Sequence, residues 1–388
     1  MKVRLGDIAR IVSGSTPKTG VPEYWNGDNI WITPAELDED TYIVFDSERK
    51  ITDIAIKKTG LSAFPTGTVI LSSRAPIGKV AIAGCEMYCN QGFKNIICSK
   101  AIFNKYVYWF LKSKKIFLNS LGRGATFKEI SKSIVENIEL FIPAYKEQVR
   151  IASLLERVHG IISLYREQLQ KFDELVKARF VEMFGNPAVN SMKWDEIPLK
   201  ECLYSIDNGK SFVCANEPRR GDWPAILKLS AVTYGDFRPK ENKSLLKENQ
   251  YIEKAAVQAE DLLFTRKNTP ELVGMAAYVK SSPKKLMLPD LIFRLNTKEN
   301  CSKIFLCHLI NHKMFREKIQ NLASGSAKSM SNISKERLLN LNIILPAIEF
   351  QKQFATFVTQ TEKSKFAVQQ ALDKAQQLFD SLMQEYFG

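Results

Sequence analysis

Four groups of residues have the types and spacing to do chemistry. Gly78-Lys79 and Gly209-Lys210-Ser211 carry the Gly-Lys ending of a phosphate-binding loop. That loop also needs a glycine five places earlier, so that backbone N–H groups can close round the phosphate. Ser73 and Tyr204 stand there instead, so neither stretch can cradle phosphate. Asn186-Pro187-Ala188-Val189 has the first half of an Asn-Pro-Pro-aromatic catalytic loop but lacks the second proline and the aromatic residue. Cys301, Cys307, His308 and His312 form a metal-like cluster, with the two histidines one helical turn apart. Helix-face histidine pairs are more often packed or solvated than chelating, and Lys105 and Trp109 stand at the matching places in the first half. With 3 histidines in 388 residues, imidazole-based acid–base catalysis has little to draw on. No catalytic, metal or cofactor-binding set is assigned.

Recognition chemistry is better represented. Arg74 follows an expected strand and precedes a Pro-Ile-Gly turn, and Arg266 with Lys267 has the parallel place in the second half. A planar guanidinium there suits a guanine edge or a phosphate; pairing with a local carboxylate is the alternative. Lys18, in a flexible turn, and Lys210, Arg219 and Arg220 are candidate phosphate contacts, with a solvated surface as the alternative. Arg123, Thr126 and Lys128 lie in or beside a small glycine-rich loop, matched by Lys328 and Ser329. There the backbone can approach phosphate closely. Asn90 and Gln91 add amides suited to adenine or to the DNA backbone.

These residues are organised by a repeat. Residues 122–185 recur at 325–388 without a gap, and Ile130, Ser131, Lys132, Pro143, Gln148, Leu169, Leu175 and Phe184 meet identical residues 203 places on. Within each copy, Pro143 or Pro346 opens a long apolar-striped helix that Gly185 or Gly388 closes. Leu154, Leu155, Val158, Ile162, Leu169, Phe172 and Leu175 stripe the first helix, and Phe357, Val358, Leu372, Leu378 and Phe379 the second. A lone amphipathic rod of about 60 Å cannot bury such a stripe, so the two rods are expected to pair antiparallel as a coiled coil. The globular stretch before each rod reads as mixed and β-rich. Expected strands in the first lie around Ile30–Thr33 and at Thr68–Ser72, Val80–Ala83, Lys94–Cys98 and Ile138–Ile142, with helices over LGDIARIV from Leu5 and over Ile102–Leu118. The fold class is therefore α+β. Two β-rich mixed globular domains, 1–142 and 188–344, are joined by long helices at 143–187 and 345–388 with pseudo-two-fold symmetry.

Charge follows the same division. The chain carries +13, of which +5 falls on 1–142 and +8 on 188–344, against +1 and −1 on the helical segments. A polyanion, if bound, belongs on the globular parts. Seven scattered cysteines suit a reducing cytoplasm rather than a disulfide framework, and the N-terminal residues lack a signal sequence. No apolar run is long enough to span a membrane.

The stretches LGDIARIVSGSTPKTGVPEYWNGDNIWIT, SSRAPIG, NQGF, GRGATFKEISK and IPAYKEQVRIASLL, in this order and with this duplication, resemble the specificity subunit of type I restriction–modification systems. The likeness covers the whole chain and is looser in the second half, where Phe350 replaces Glu147 and TRKNTPELVG replaces SSRAPIG. It implies a non-catalytic DNA reader whose globular domains are target-recognition domains, each taking one half of a split double-stranded DNA target. The paired helices would set the spacing and dock two modification (methyltransferase) subunits. S-adenosylmethionine, ATP and Mg would belong to partner subunits, the restriction subunits supplying translocation and cleavage. The rival readings are a stand-alone methyltransferase or nuclease with degenerate motifs, and a coiled-coil adaptor.

Overall fold

A computed structural model describes residues 2–74, 76–124, 128–324 and 330–388. The chain divides into two compact units, Met1–Arg166 with Gln369–Gly388, and Glu167–Val368. The boundary thus falls inside both long helices rather than at their ends. Each globular part buries one end of both helices in its own core, so those ends belong to it.

In the first unit, a five-stranded sheet runs in the order Ala9–Val12, Asn95–Cys98, Val69–Leu71, Val80–Ala83, Ile43–Val44. Val-, Ile- and Leu-rich strands suit this doubly covered position. Tyr106, Val107, Tyr108 and Trp109 of the helix Asn104–Ser113 are all buried in the same core. A smaller sheet joins Lys50–Ile51, Trp25–Ile32 and Tyr88–Cys89. The second unit repeats the plan with four strands, Leu203–Asn208, Ile292–Thr297, Leu262–Thr265 and Ala276–Tyr278, and a helix, Lys303–Asn311. Its smaller sheet joins Asn242–Ser244, Ala225–Leu227 and Leu286–Met287. In both units the first strand pairs antiparallel with the strand that precedes the long helix: Lys2–Arg4 with Glu139–Phe141, and Glu196–Pro198 with Asn342–Ile344.

Two sequence expectations need correction. LGDIARIV is helical only over Leu5–Ile8; Ala9–Val12 is a strand, since Ile11 must enter the sheet core beside Ile96. The helix expected over Ile102–Leu118 is two helices, Asn104–Ser113 and Lys115–Ser120, because Lys114 (φ −96°, ψ 17°) leaves the helical region.

The long helices are Tyr145–Phe184 and Ile348–Phe387, 40 residues each. Within each unit they run antiparallel. In the first, Arg150 lies against Tyr386, and Phe379 packs near His159. In the second, Phe180 meets Phe354, Arg179 lies over Phe357, and Asp173 pairs with Lys365 at 2.5 Å. Leu155, Val158, Ile162 and Val358 are buried; Leu154, Leu169, Phe172, Phe357, Leu372 and Phe379 are half-buried. Leu175 and Leu378, 203 places apart, are 48% and 51% exposed. Of the two roles open to the stripe, coiled-coil contact and subunit docking, these two leucines do not take the first: the next residue takes the inward place, Val176 in one helix and half-buried Phe379 in the other. A residue one position away lies about 100° round the helix.

Gln148 and Gln351 show what the repeat preserves. Gln148 Oε1 accepts from Phe103 N–H at 2.8 Å, and its amide donates to the Pro143 and Ala101 carbonyls. Gln351 does the same with Ser302 N–H and the carbonyls of Pro346 and Asn300. Each glutamine therefore ties the start of a long helix to the loop before the shorter one. Gln148→Ala is expected to cost about 3 kcal/mol, since three backbone groups lose their partner at roughly 1 kcal/mol or more each. Denaturant unfolding of the variant beside the parent protein measures this, and a loss within error would contradict it.

Candidate nucleic-acid interface

Four segments far apart in sequence meet at one edge of the first unit. The turn after Ala9–Val12 comes first. Gly14 presses so close to Cys89 that a Cβ would sit 1.9 Å from its carbonyl oxygen, so only glycine fits. Ser15 N–H donates to that carbonyl, and Thr16 Oγ1 donates to Gln91 Oε1 at 2.6 Å. The turn is not flexible as expected. The Trp31 indole N–H bonds the Ser15 carbonyl, and that of Trp25 bonds Lys18, leaving the Lys18 side chain exposed on a fixed backbone. Arg49, unremarked in the sequence, stacks over Trp25 at 3.6 Å from the ring centroid. It adds a second cation on this side.

The second segment is Asn90-Gln91-Gly92, where Asn90 Oδ1 accepts from Gly92 N–H. Gly92 in turn accepts from Ser73 N–H, which brings in the third segment, Ser73-Arg74. The fourth is the loop from Arg123 to Glu129, closed by paired backbone bonds of 3.0 and 2.9 Å between those two residues. Glu129 is the hub. It takes Arg74 Nε at 3.0 Å on one oxygen and the ammonium of Lys94, only 8% exposed, at 3.1 Å on the other. Burial works against its charge, but hydrogen bonds from Lys94 and Arg74 outweigh this and hold its carboxyl below the usual 4.5. The local-carboxylate alternative for Arg74 is therefore realised through Nε alone. Its two Nη groups have no partner among the described residues.

The second unit builds the same edge. Gly209 stands where a Cβ would lie 1.6 Å from the Leu288 carbonyl oxygen, and Ser211 Oγ donates to Asp290 Oδ1. This close approach explains the Gly209-Lys210-Ser211 sequence without any phosphate loop. Backbone pairing then sets the correspondence between units. Ile130 N–H bonds Ser73 and Ile333 N–H bonds Arg266; Arg74 bridges to Glu129, and Lys267 pairs with Asn332. The counterpart of Arg74 is thus Lys267, and Arg266 matches Ser73, one place off the sequence alignment. Arg266 bonds Asn332 Oδ1 at 3.1 Å and lies 5.1 Å over Phe293, the residue that replaces Lys94. Among the described residues Lys267 has no ion pair.

The other candidates fall differently. Arg123 and Lys128 are exposed beside the first edge, and Lys210 is exposed beside the second with its ammonium near Phe212. Arg219 spends a guanidinium nitrogen on the Lys284 carbonyl at 2.6 Å, so it serves the smaller sheet; Arg220 is exposed and 3.7 Å from Glu217. Thr126, Lys328 and Ser329 lie outside the described residues. Cys301 packs with Cys202, His308 with Phe354, and His312 with Phe180. Burial pushes His308 down to about 4. Among the described residues no cluster has the make-up of a metal site, and no helix is long and apolar enough to cross a membrane.

Against known proteins, residues 1–172 and 192–375 match the type I restriction modification DNA specificity domain family. The chain is 39% identical over 232 residues to the type I restriction enzyme MjaIX specificity subunit of Methanocaldococcus jannaschii, a stretch covering 59% of this chain and about half (51%) of that one. It is 24% identical over 371 residues to the MjaVIII specificity subunit of the same organism, covering 91% and 84%. Among solved structures it is similar to a type I restriction–modification S subunit from M. genitalium, at TM-score 0.60 and 14% identity over 100% of this chain and 96% of that one.

Proposed function

The chain belongs to the type I restriction–modification DNA specificity family, and on that footing we propose that its two units read the two halves of a split duplex target. The observation that carries this is the four-segment edge, built twice on one backbone plan with different side chains. A repeated frame with altered contact groups supports two readers of different sequence. The positive charge supports the same assignment, since it sits on the globular parts rather than on the helices. The long helices fix the separation of the half-sites. Two modification subunits dock on the helices' outward residues, and the exposure of Leu175 and Leu378 supports this reading. The chain contributes recognition, while S-adenosylmethionine, ATP and Mg chemistry belongs to the modification and restriction subunits.

The test is to map methylated adenines in DNA from cells that make this chain with its modification subunits. A bipartite motif is expected. If changes to one half of that motif left methylation untouched, the two-reader assignment would fall. Within this scheme Arg74→Ala should weaken binding by about 1–3 kcal/mol, and only at targets keeping the first half-site, because its free Nη edge can take a guanine. Titration of labelled duplexes with the complex at fixed salt measures it. Equal weakening on every sequence would make Arg74 a phosphate contact instead.

A further inference from the structure

The two edges differ at one matched pair in a way that assigns opposite hydrogen-bonding character. Thr16 and Ser211 occupy the same place, each two residues beyond the glycine that presses on the neighbouring turn. Each hydroxyl donates to the side chain opposite: Thr16 to Gln91 Oε1, Ser211 to Asp290 Oδ1. In the first unit the hydroxyl occupies the amide oxygen of exposed Gln91, so the group left without a partner among the described residues is its Nε2 donor pair. In the second it occupies one carboxylate oxygen, and Asp290 Oδ2 remains without a partner among the described residues. A carboxylate can only accept. On a domain that carries net positive charge, an unpaired carboxylate at the edge repels phosphate. Its place is understandable if it meets a base edge and rejects the wrong one.

We propose that Asp290, held by Ser211, is a specificity-determining residue of the second unit, selecting a base with an exocyclic amino group on its major-groove edge, cytosine N4 or adenine N6. Gln91, held by Thr16, takes the matching position in the first unit and presents donors to an acceptor-bearing edge. Cytosine and adenine offer an amino donor there, whereas guanine and thymine present oxygen acceptors. The assignment rests on the two-reader function proposed above.

The test uses the complete complex with its modification subunits, in the parent form and with Asp290→Asn, Ser211→Ala or Gln91→Glu, reading methylated sites across a genome. Asp290→Asn is expected to relax one position of the second half-site, lowering discrimination there about tenfold, with the first half-site unchanged. Ser211→Ala should relax the same position more weakly, because it frees the carboxylate to turn. Gln91→Glu should alter one position of the first half-site only. The untouched half-site in each variant serves as the control for folding. If the parent complex shows a bipartite motif and Asp290→Asn methylates with both halves unchanged, this assignment is overturned while the two-reader function stands. If the selected base proves to be guanine or thymine, it is overturned as well. If the parent complex shows no bipartite motif, the underlying function fails first.

Discussion

Phe180→Ala is expected to lower the unfolding free energy of the second unit by about 3–5 kcal/mol, the range for emptying a buried phenylalanine site. Phe180 is 1% exposed and stands where four aromatic groups meet. Phe184, Phe305, Phe354 and His312 lie at centroid distances of 5.1, 5.9, 5.4 and 5.1 Å. Phe305 and His312 belong to the globular part, Phe354 to the second long helix, and Phe180 to the first. Truncation therefore loosens both helix ends from the unit they belong to, and no neighbour can collapse into the space without breaking ring contacts of its own. A chain of two units need not unfold in one step, so denaturant curves should be followed with more than one probe. The transition of the second unit should move while that of the first stays. Phe366→Ala is the reference, since Phe366 is 65% exposed and a surface change of this kind stays within about 0.5 kcal/mol. Equal shifts for the two variants would contradict this packing account.

The long helices were legible in the sequence because a 3.6-residue period is a local signal. The seam was less so. Leu175-Val176 and Leu378-Phe379 are adjacent apolar pairs, and periodicity alone does not say which member turns inward. The edge of each unit was harder still. Arg74 and Glu129 are 55 residues apart, Thr16 and Gln91 75, and only strand pairing brings them together. The same non-local pairing matches Lys267 rather than Arg266 to Arg74, which a residue-type alignment gets wrong by one place. A usable signal was present in Gly14-Ser15-Thr16 and Gly209-Lys210-Ser211, a glycine followed two places on by a hydroxyl, each just beyond the first strand of its larger sheet. Both glycines are fixed by close approach to a carbonyl, so the hydroxyls are aimed by the backbone rather than by chance. Function was legible through the ordered resemblance, and no single motif carried it.

Exchanging the hub of the first unit for that of the second provides a sharper test of the shared frame. Glu129→Asn alone should cost about 2–3 kcal/mol. It leaves the Lys94 ammonium, 8% exposed, without its carboxylate. The loss stays below the ~3–5 kcal/mol of a fully buried broken pair, because Glu129 is itself one-third exposed. The second unit has no such problem, since Phe293 replaces Lys94 and Asn332 replaces Glu129. Lys94→Phe together with Glu129→Asn installs those two residues; Ser73 holds the place of Arg266, and Arg74, one position on, is still able to bond the new amide. The double variant should therefore recover roughly 1–2 kcal/mol relative to the sum of the single changes, as expected for residues in direct contact. Simple additivity would show that the two hubs are not interchangeable. Acid provides an independent reading. The Glu129 carboxyl is held below its ordinary value in the folded chain, so the stability it contributes is present above about pH 4.5 and is lost as pH falls through the folded value. Parent protein and Lys94→Phe/Glu129→Asn should thus differ in the slope of stability against pH below that point, with the double variant the flatter of the two.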